Sequence, residues 1–177
     1  MQKLKKKKKK SSLVFIGIGT NKGNRHENIL FALNELKKNR SIKVLKVSSM
    51  LKNPPQEGIK TGYFLNGAIK LLTSLTPLKL LKVCQSIEKK LGRNLNPQTK
   101  YSFKKTYKPR TIDLDILFYG NRLIKSKDLI IPHPKLHKRY FVLIPLIEIG
   151  RNHIHPKLNK SILELYFNLI KIYKATA

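Results

Sequence analysis

The chain has 177 residues, enough for one domain with a single core and tight for two. It carries 38 Lys and Arg against nine Asp and Glu, a formal net charge of +29, and 41% of its residues are hydrophobic. No apolar run approaches the length of a membrane-spanning helix. The basic residues are mostly Lys spread along the chain, with Arg only at 25, 40, 93, 110, 122, 139 and 151. No RNP, zinc-finger or basic-zipper pattern is present, so the charge predicts weak, salt-sensitive RNA association and no specific nucleic-acid partner.

Residues 1–11, with the run Lys5–Lys10, read as a solvated, disordered basic tail. The tail and the apolar stretch after it look like a signal peptide, but no small-residue cleavage site follows. Residues 12–177 are expected to form one domain, and the single Cys84, which excludes an internal disulfide, fits a cytoplasmic location. Leu13–Ile18 is an apolar run closed by Gly19, a buried strand. From Asn24 or Arg25 to Lys38, Ile29, Leu30, Leu33 and Leu36 mark one face of a helix. Ile42–Ser49 and Tyr63–Leu72 read as strands, with the Pro54-Pro55 segment from Lys52 to Gly62 as a loop. Thr76-Pro77 starts a second helix, which carries Cys84 inward and stops at Gly92.

Residues 93–110 are polar and basic without an apolar period, a long loop of the kind that often serves as a lid. Thr111–Tyr119 is a strand turned by Gly120-Asn121. Leu129–Ile131 leads into Pro132-His133-Pro134. Tyr140–Ile149 includes a helix interrupted at its start by Pro145, and Ser161–Tyr173 is a final amphipathic helix. Strand, helix, strand, strand, helix, strand is the order of ferredoxin-like α+β folds, an antiparallel sheet with helices packed on it, here with C-terminal additions.

Acids are scarce, yet Asp113 and Asp115 stand two apart within a strand. Residues i and i+2 on a strand project from the same face, roughly 6.6 Å apart along the chain. Ile112, Leu114 and Ile116 then pack on the other side. Paired carboxylates repel unless a cation lies between them, and a hard oxygen pair suits Mg²⁺ that takes its other ligands from phosphates and water. Arg110, next to Pro109, is spaced to grip a phosphate bidentately, and Arg93 enters the long loop. His133 is held on an extended Pro-His-Pro backbone. His137, His153 and His155 show no metal-ligand partnership and receive no role. The glycines of Gly17-Ile18-Gly19-Thr20-Asn21-Lys22-Gly23 fail the dinucleotide spacing, and no Walker sequence exists, so a nucleotide would be held by metal, Arg and His.

In order along the chain come Phe15-Ile16-Gly17-Ile18-Gly19-Thr20-Asn21-Lys22-Gly23, Val47-Ser48-Ser49, Pro54-Pro55, Phe64-Leu65-Asn66, Ile87-Glu88, Leu91-Gly92-Arg93, Pro109-Arg110-Thr111-Ile112-Asp113-Leu114-Asp115, Pro132-His133-Pro134, Leu136-His137 and Arg139. Together these resemble the 6-hydroxymethyl-7,8-dihydropterin pyrophosphokinases of folate biosynthesis over about residues 13–165. The resemblance implies a monomeric kinase that moves diphosphate from ATP to the pterin CH₂OH and releases AMP. It implies two Mg²⁺ ions on Asp113 and Asp115, with Arg93 and Arg110 beside them in catalysis. It carries ATP contacts onto Gln85, Glu88, Arg93, Arg110, Ile116, His133 and Arg139. It places the pterin between Phe64 and Phe141, hydrogen-bonded at Asn66 and bordered by Pro54 and Pro55. The sequence departs from the family at the longer, Lys-rich loop 93–110, at Lys108 where Gly is usual, at Tyr107 where Trp is common, and at Pro134 where some members have Tyr. A basic RNA-binding module on a ferredoxin-like sheet is the alternative; exposed aromatics on the sheet face would mark it.

Overall fold

The computed structural model describes residues 11–54, 62–92 and 109–176. The expectations for the basic tail, for Pro55, for Arg93, and for Tyr107 and Lys108 fall outside the described residues.

The elements begin with β1 (Ser12–Thr20), α1 (Arg25–Lys38), β2 (Ile42–Val47), β3 (Leu51–Asn53), β4 (Phe64–Thr73), α2 (Pro77–Lys90) and β5 (Asp113–Tyr119). Two short strands, β6 (Ile124–Lys125) and β7 (Ile130–Ile131), then form a hairpin. A 3-10 turn at Leu136–Lys138 leads into α3 (Tyr140–Gly150), followed by β8 (Ile154–His155), β9 (Lys160–Ser161) and α4 (Ile162–Thr176). Both early helices start where the sequence places them. Asn24 caps α1 by accepting from Glu27 N–H, and Thr76 caps α2 ahead of Pro77. Gly92, at φ +78°, turns the chain out of α2 in a conformation that other residues adopt at a cost.

The main sheet is antiparallel, in the order β2-β4-β1-β5, with β3 also paired to β4. That is the ferredoxin-like arrangement. One face packs Val14, Ile16, Ile18, Leu65, Ile69, Leu71, Leu114 and Ile116 against α1 and α2 in a continuous core. Cys84, fully buried in α2, belongs to that core as a small hydrophobe. On the other face Phe15, Ala68, Leu117 and Phe118 pack against α3 and α4. This second layer covers only one end of the sheet, because β1 places Gly17 and Gly19 and β5 places Asp113 and Asp115 at the other end of that face.

Four features differ from the sequence reading. Residues 52 and 53 belong to β3, too short to show an alternating pattern. The β6–β7 and β8–β9 ladders, of two residues per strand, have no sequence signature. The strand expected from Thr111 starts at Asp113. Pro145 lies inside α3, which runs through it. Pro145 removes one backbone donor, but burial of Leu143, Leu146 and Ile149 beside it holds the helix together.

Candidate active site

The site is built by register. On β1, Gly19 lies between Asn66 of β4 and Asp113 of β5, and Gly17 lies between Ala68 and Asp115. Alternate residues share a face, so Phe64, Asn66, Gly17, Gly19, Asp113 and Asp115 all point to the open end of the sheet. The two glycines leave a floor without side chains between the amide and the carboxylates. A Cβ on Gly19 would stand 2.9 Å from Asn66 Oδ1. Asn66 is oriented by its neighbour: its Nδ2 donates to Asn53 Oδ1, and Asn53 is itself buried. The Asn66 carbonyl oxygen is therefore the group turned toward the floor.

Beyond Asp115 the β1–β5 pairing steps from Ile16↔Ile116 to Phe15↔Phe118, which makes Leu117 the extra residue of a bulge. Bulges re-aim side chains. Here the bulge delivers Leu117 and Phe118 to the covered end of the face and leaves Asp113 and Asp115 at the open end. Their side chains keep about a quarter of their surface, 21% and 27%.

The basic partners come from both flanks. Arg110 Nη1 donates to Asp113 Oδ2. Its backbone is latched twice to Asn21, just past the end of β1: Arg110 N–H donates to Asn21 Oδ1 at 2.6 Å, and Asn21 N–H donates to Arg110 O at 3.0 Å. Thr111 Oγ1 donates to Leu91 O at 2.6 Å, which ties the start of this segment to the end of α2. On the other flank His133 hangs from the bulge through its N–H to Leu117 O. Its Nδ1 accepts from Lys135 N–H, so the neutral ring carries its proton on Nε2, the atom 4.0 Å from Asp115 Oδ2. Arg139 stands at the start of α3 with its guanidinium 5.7 Å from the centre of the Phe141 ring.

The other expected contacts lie elsewhere. Gln85 is half-buried on α2, in the helical layer behind the sheet. Glu88 is fully buried and accepts from Leu114 N–H at 2.8 Å, so it holds the backbone between the two aspartates. Ile116 is in the core on the α1–α2 side. Pro54 is exposed at the end of β3, where its carbonyl accepts from Asn53 Nδ2. The sequence reading did not find Gly17, Gly19, Asn21 or Asn53. The dinucleotide spacing that the glycines fail says nothing about which face of the strand they occupy. The available signal was their alternation on a strand beside a strand with alternating carboxylates.

Among the described residues, no group of three or more His, Cys, Asp or Glu side chains is arranged to hold a metal. Asp113 and Asp115 supply hard oxygens only, from one face, so a divalent ion there would complete its shell with water and a ligand's oxygens, the habit of Mg²⁺. The donor set fits that ion.

The family profile described as 7,8-dihydro-6-hydroxymethylpterin-pyrophosphokinase (HPPK) matches residues 15–151, which contain every residue of this site. The chain belongs to the HPPK family. It is 38% identical over 151 residues to the 2-amino-4-hydroxy-6-hydroxymethyldihydropteridine pyrophosphokinase of Aquifex aeolicus, covering 85% of this chain and 88% of that protein. With the enzyme of the same name from Bacillus subtilis, identity is 37% over 139 residues, covering 78% of each. With the folic acid synthesis protein fol1 of Pneumocystis carinii it is 41% over 157 residues, 89% of this chain but only 20% of that protein. The chain thus spans about a fifth of the length of such fungal relatives. In structure, the wild-type HPPK-DHPS of Plasmodium falciparum superposes with a TM-score of 0.70 at 16% identity, covering 96% of this chain and 47% of that one. That likeness shows a shared α+β HPPK fold. No helix among the described residues is long and apolar enough to cross a membrane.

Proposed function

We propose that residues 12–177 act as one monomeric, cytoplasmic pyrophosphokinase domain that transfers diphosphate from ATP to the hydroxymethyl group of 6-hydroxymethyl-7,8-dihydropterin and releases AMP, in folate biosynthesis. The observation that carries the reading is the row Asn66, Gly19, Asp113 across three adjacent strands. It offers a flat floor for a planar ring, an acceptor at one edge and a pair of carboxylates at the other.

The pterin would lie on the glycine floor against Phe64 and Phe141, with an N–H donating to Asn66 Oδ1. Its hydroxymethyl group would then point toward Asp113 and Asp115. Those carboxylates would hold two Mg²⁺ ions, which offset charge on the phosphates when bound. The substrate oxygen attacks the β-phosphorus in line, the bond from that phosphorus to the α-phosphate oxygen breaks, AMP leaves, and the hydroxyl proton is released to water. Arg110 is poised for the phosphates: its guanidinium, held on Asp113, has further N–H donors to offer. His133 Nε2, 4.0 Å from Asp115, would reach the same phosphates, and Arg139, Arg93, Gln85, Glu88, Ile116, Pro54 and Pro55 would complete the assignment by family likeness. Acceleration would come chiefly from positioning and charge stabilisation, since no side chain is placed as a dedicated base. The RNA-binding alternative gains no support, because the matching profile and the curated relatives are pyrophosphokinases and folate-synthesis proteins.

Calorimetry with α,β-methylene-ATP and the pterin, with and without Mg²⁺, tests the reading. Nucleotide binding should require Mg²⁺ and be lost in Asp115→Ala with the fold intact. Equal binding without Mg²⁺, or by Asp115→Ala, would remove the metal role.

A further inference from the structure

A line of rings runs from the sheet to the turn that carries His133 and Arg139. His153 meets Phe15 at 4.9 Å and Phe118 at 4.7 Å between centroids, His155 meets Phe118 at 5.5 Å, and His137 meets His155 edge-on at 6.2 Å. Phe118 is on β5, just beyond the bulge that separates it from the carboxylates. The 133–139 segment is a tight unit: Leu136 N–H donates to His133 O, Lys138 N–H to Lys135 O, and Arg139 N–H to Leu136 O. Leu136 is fully buried, and His137 beside it is packed edge-on against His155.

These rings sit where a neutral imidazole is favoured. His155 is 4% exposed, and its Nδ1 accepts from Lys157 and Leu158 N–H, so its single proton is on Nε2. His137 Nδ1 and His153 Nε2 are buried with no hydrogen-bond partner among the described residues. A protonated ring donates from both nitrogens, and these two have no acceptor in reach. The charges nearby oppose protonation. Lys138 is beside His137, His153 and Lys157 are beside His155, and Lys70 is beside His153. Glu148 and Arg151 share the rim of a cavity with His153, and Glu148 already accepts from Ser49 N–H. On α4, Glu164 is bound to Ser161. Burial, the largest cause, and these like charges hold all three rings below the ordinary 6.5.

We propose that His137, through its contact with His155, is a positioning residue that seats the 133–139 turn, and with it His133 and Arg139, only while both imidazoles are neutral. The nucleotide consequence rests on the pyrophosphokinase reading; the seating of the turn does not. The direction follows from linkage. A ring whose value is lowered by folding favours the seated turn fully above pH 6.5, and that preference is lost as pH falls through the lowered values.

The test is amide exchange on the full chain without ligand, from pH 7.5 to 5, as protection factors so that the chemical pH dependence cancels. The Leu136, Lys138 and Arg139 amides should lose protection below pH 6.5, by about tenfold per pH unit for each proton taken up. In His137→Phe, which keeps a ring that cannot be protonated, the loss should be much shallower. Should that variant not fold, NMR titration of the His137 and His155 ring protons in the wild-type chain decides, because loss of protection must follow their protonation. Protection that does not change with pH, or changes equally in His137→Phe, overturns the proposal. Binding of α,β-methylene-ATP should weaken over the same pH range more steeply in the wild type than in the variant. Failure to bind at pH 8 would instead sink the pyrophosphokinase reading and leave the exchange result standing.

Discussion

Replacing Gly19 by Ala tests the glycine floor with one carbon. The added Cβ would stand 2.9 Å from Asn66 Oδ1, closer than real Cβ atoms approach an oxygen. Asn66 cannot swing aside freely, because its Nδ2 is committed to the buried Asn53. The amide therefore leaves its orientation, and a pterin N–H donor loses its acceptor. An unpaired donor in a closed site costs about 1–3 kcal/mol, or about 5- to 150-fold in pterin affinity. The fold should tolerate the change. Gly19 has no positive φ, and Ala in a strand interior recovers about 0.5–1 kcal/mol of backbone entropy relative to Gly. Calorimetric titration with the pterin, and separately with α,β-methylene-ATP and Mg²⁺, reads the two halves of the site. Pterin affinity within about twofold of wild type, in a folded variant, would refute the floor argument. An equal loss for the nucleotide alone would show general distortion of the site in place of a local clash.

Three other substitutions probe the scaffold. Asn21→Ala removes the Asn21 Oδ1 acceptor of Arg110 N–H; kcat for AMP formation should fall at least tenfold with a stability loss of about 1–3 kcal/mol, measured by denaturant unfolding. Glu88→Ala leaves Leu114 N–H unpaired between the two aspartates and should lower Tm by several degrees, while Glu88→Gln, which keeps an acceptor, should recover most of it; equal losses in both would mean that the charge, not the bond, matters. Ser161 caps α4, and its Oγ–H and then its N–H hold the Glu164 carboxyl below its ordinary value. That contribution is present above pH 4.5 and lost as pH falls through the lowered value, so Ser161→Ala should lower Tm at pH 7 by about 2–4 °C and by less at pH 3 in thermal melts.

Much of the frame was legible because local rules and burial agree there. The apolar run of β1, the Thr76-Pro77 cap and the strand with Asp113 and Asp115 on one face each follow from a period or a cap that tertiary packing reinforces. The parts that were not legible depend on register between distant strands. Nothing local says that Gly19 faces Asn66 on one side and Asp113 on the other, nor that Leu117 is the residue β5 loops out. Asn21 lies in a segment that fails the dinucleotide spacing and carries no other local signal, yet its side chain reaches a residue 89 positions away. Pro109 suggested what fixes Arg110, whereas two hydrogen bonds to Asn21 do so. The three histidines without a role in the sequence converge only through β8 and the 3-10 turn, elements too short to announce themselves.

The most direct test of the central claim is product analysis after incubating the purified chain with ATP, Mg²⁺ and 6-hydroxymethyl-7,8-dihydropterin. The account predicts AMP and a pterin diphosphate in equal amounts, with neither formed when the pterin or Mg²⁺ is left out. ADP in place of AMP, or no pterin-dependent product from folded protein, would contradict it.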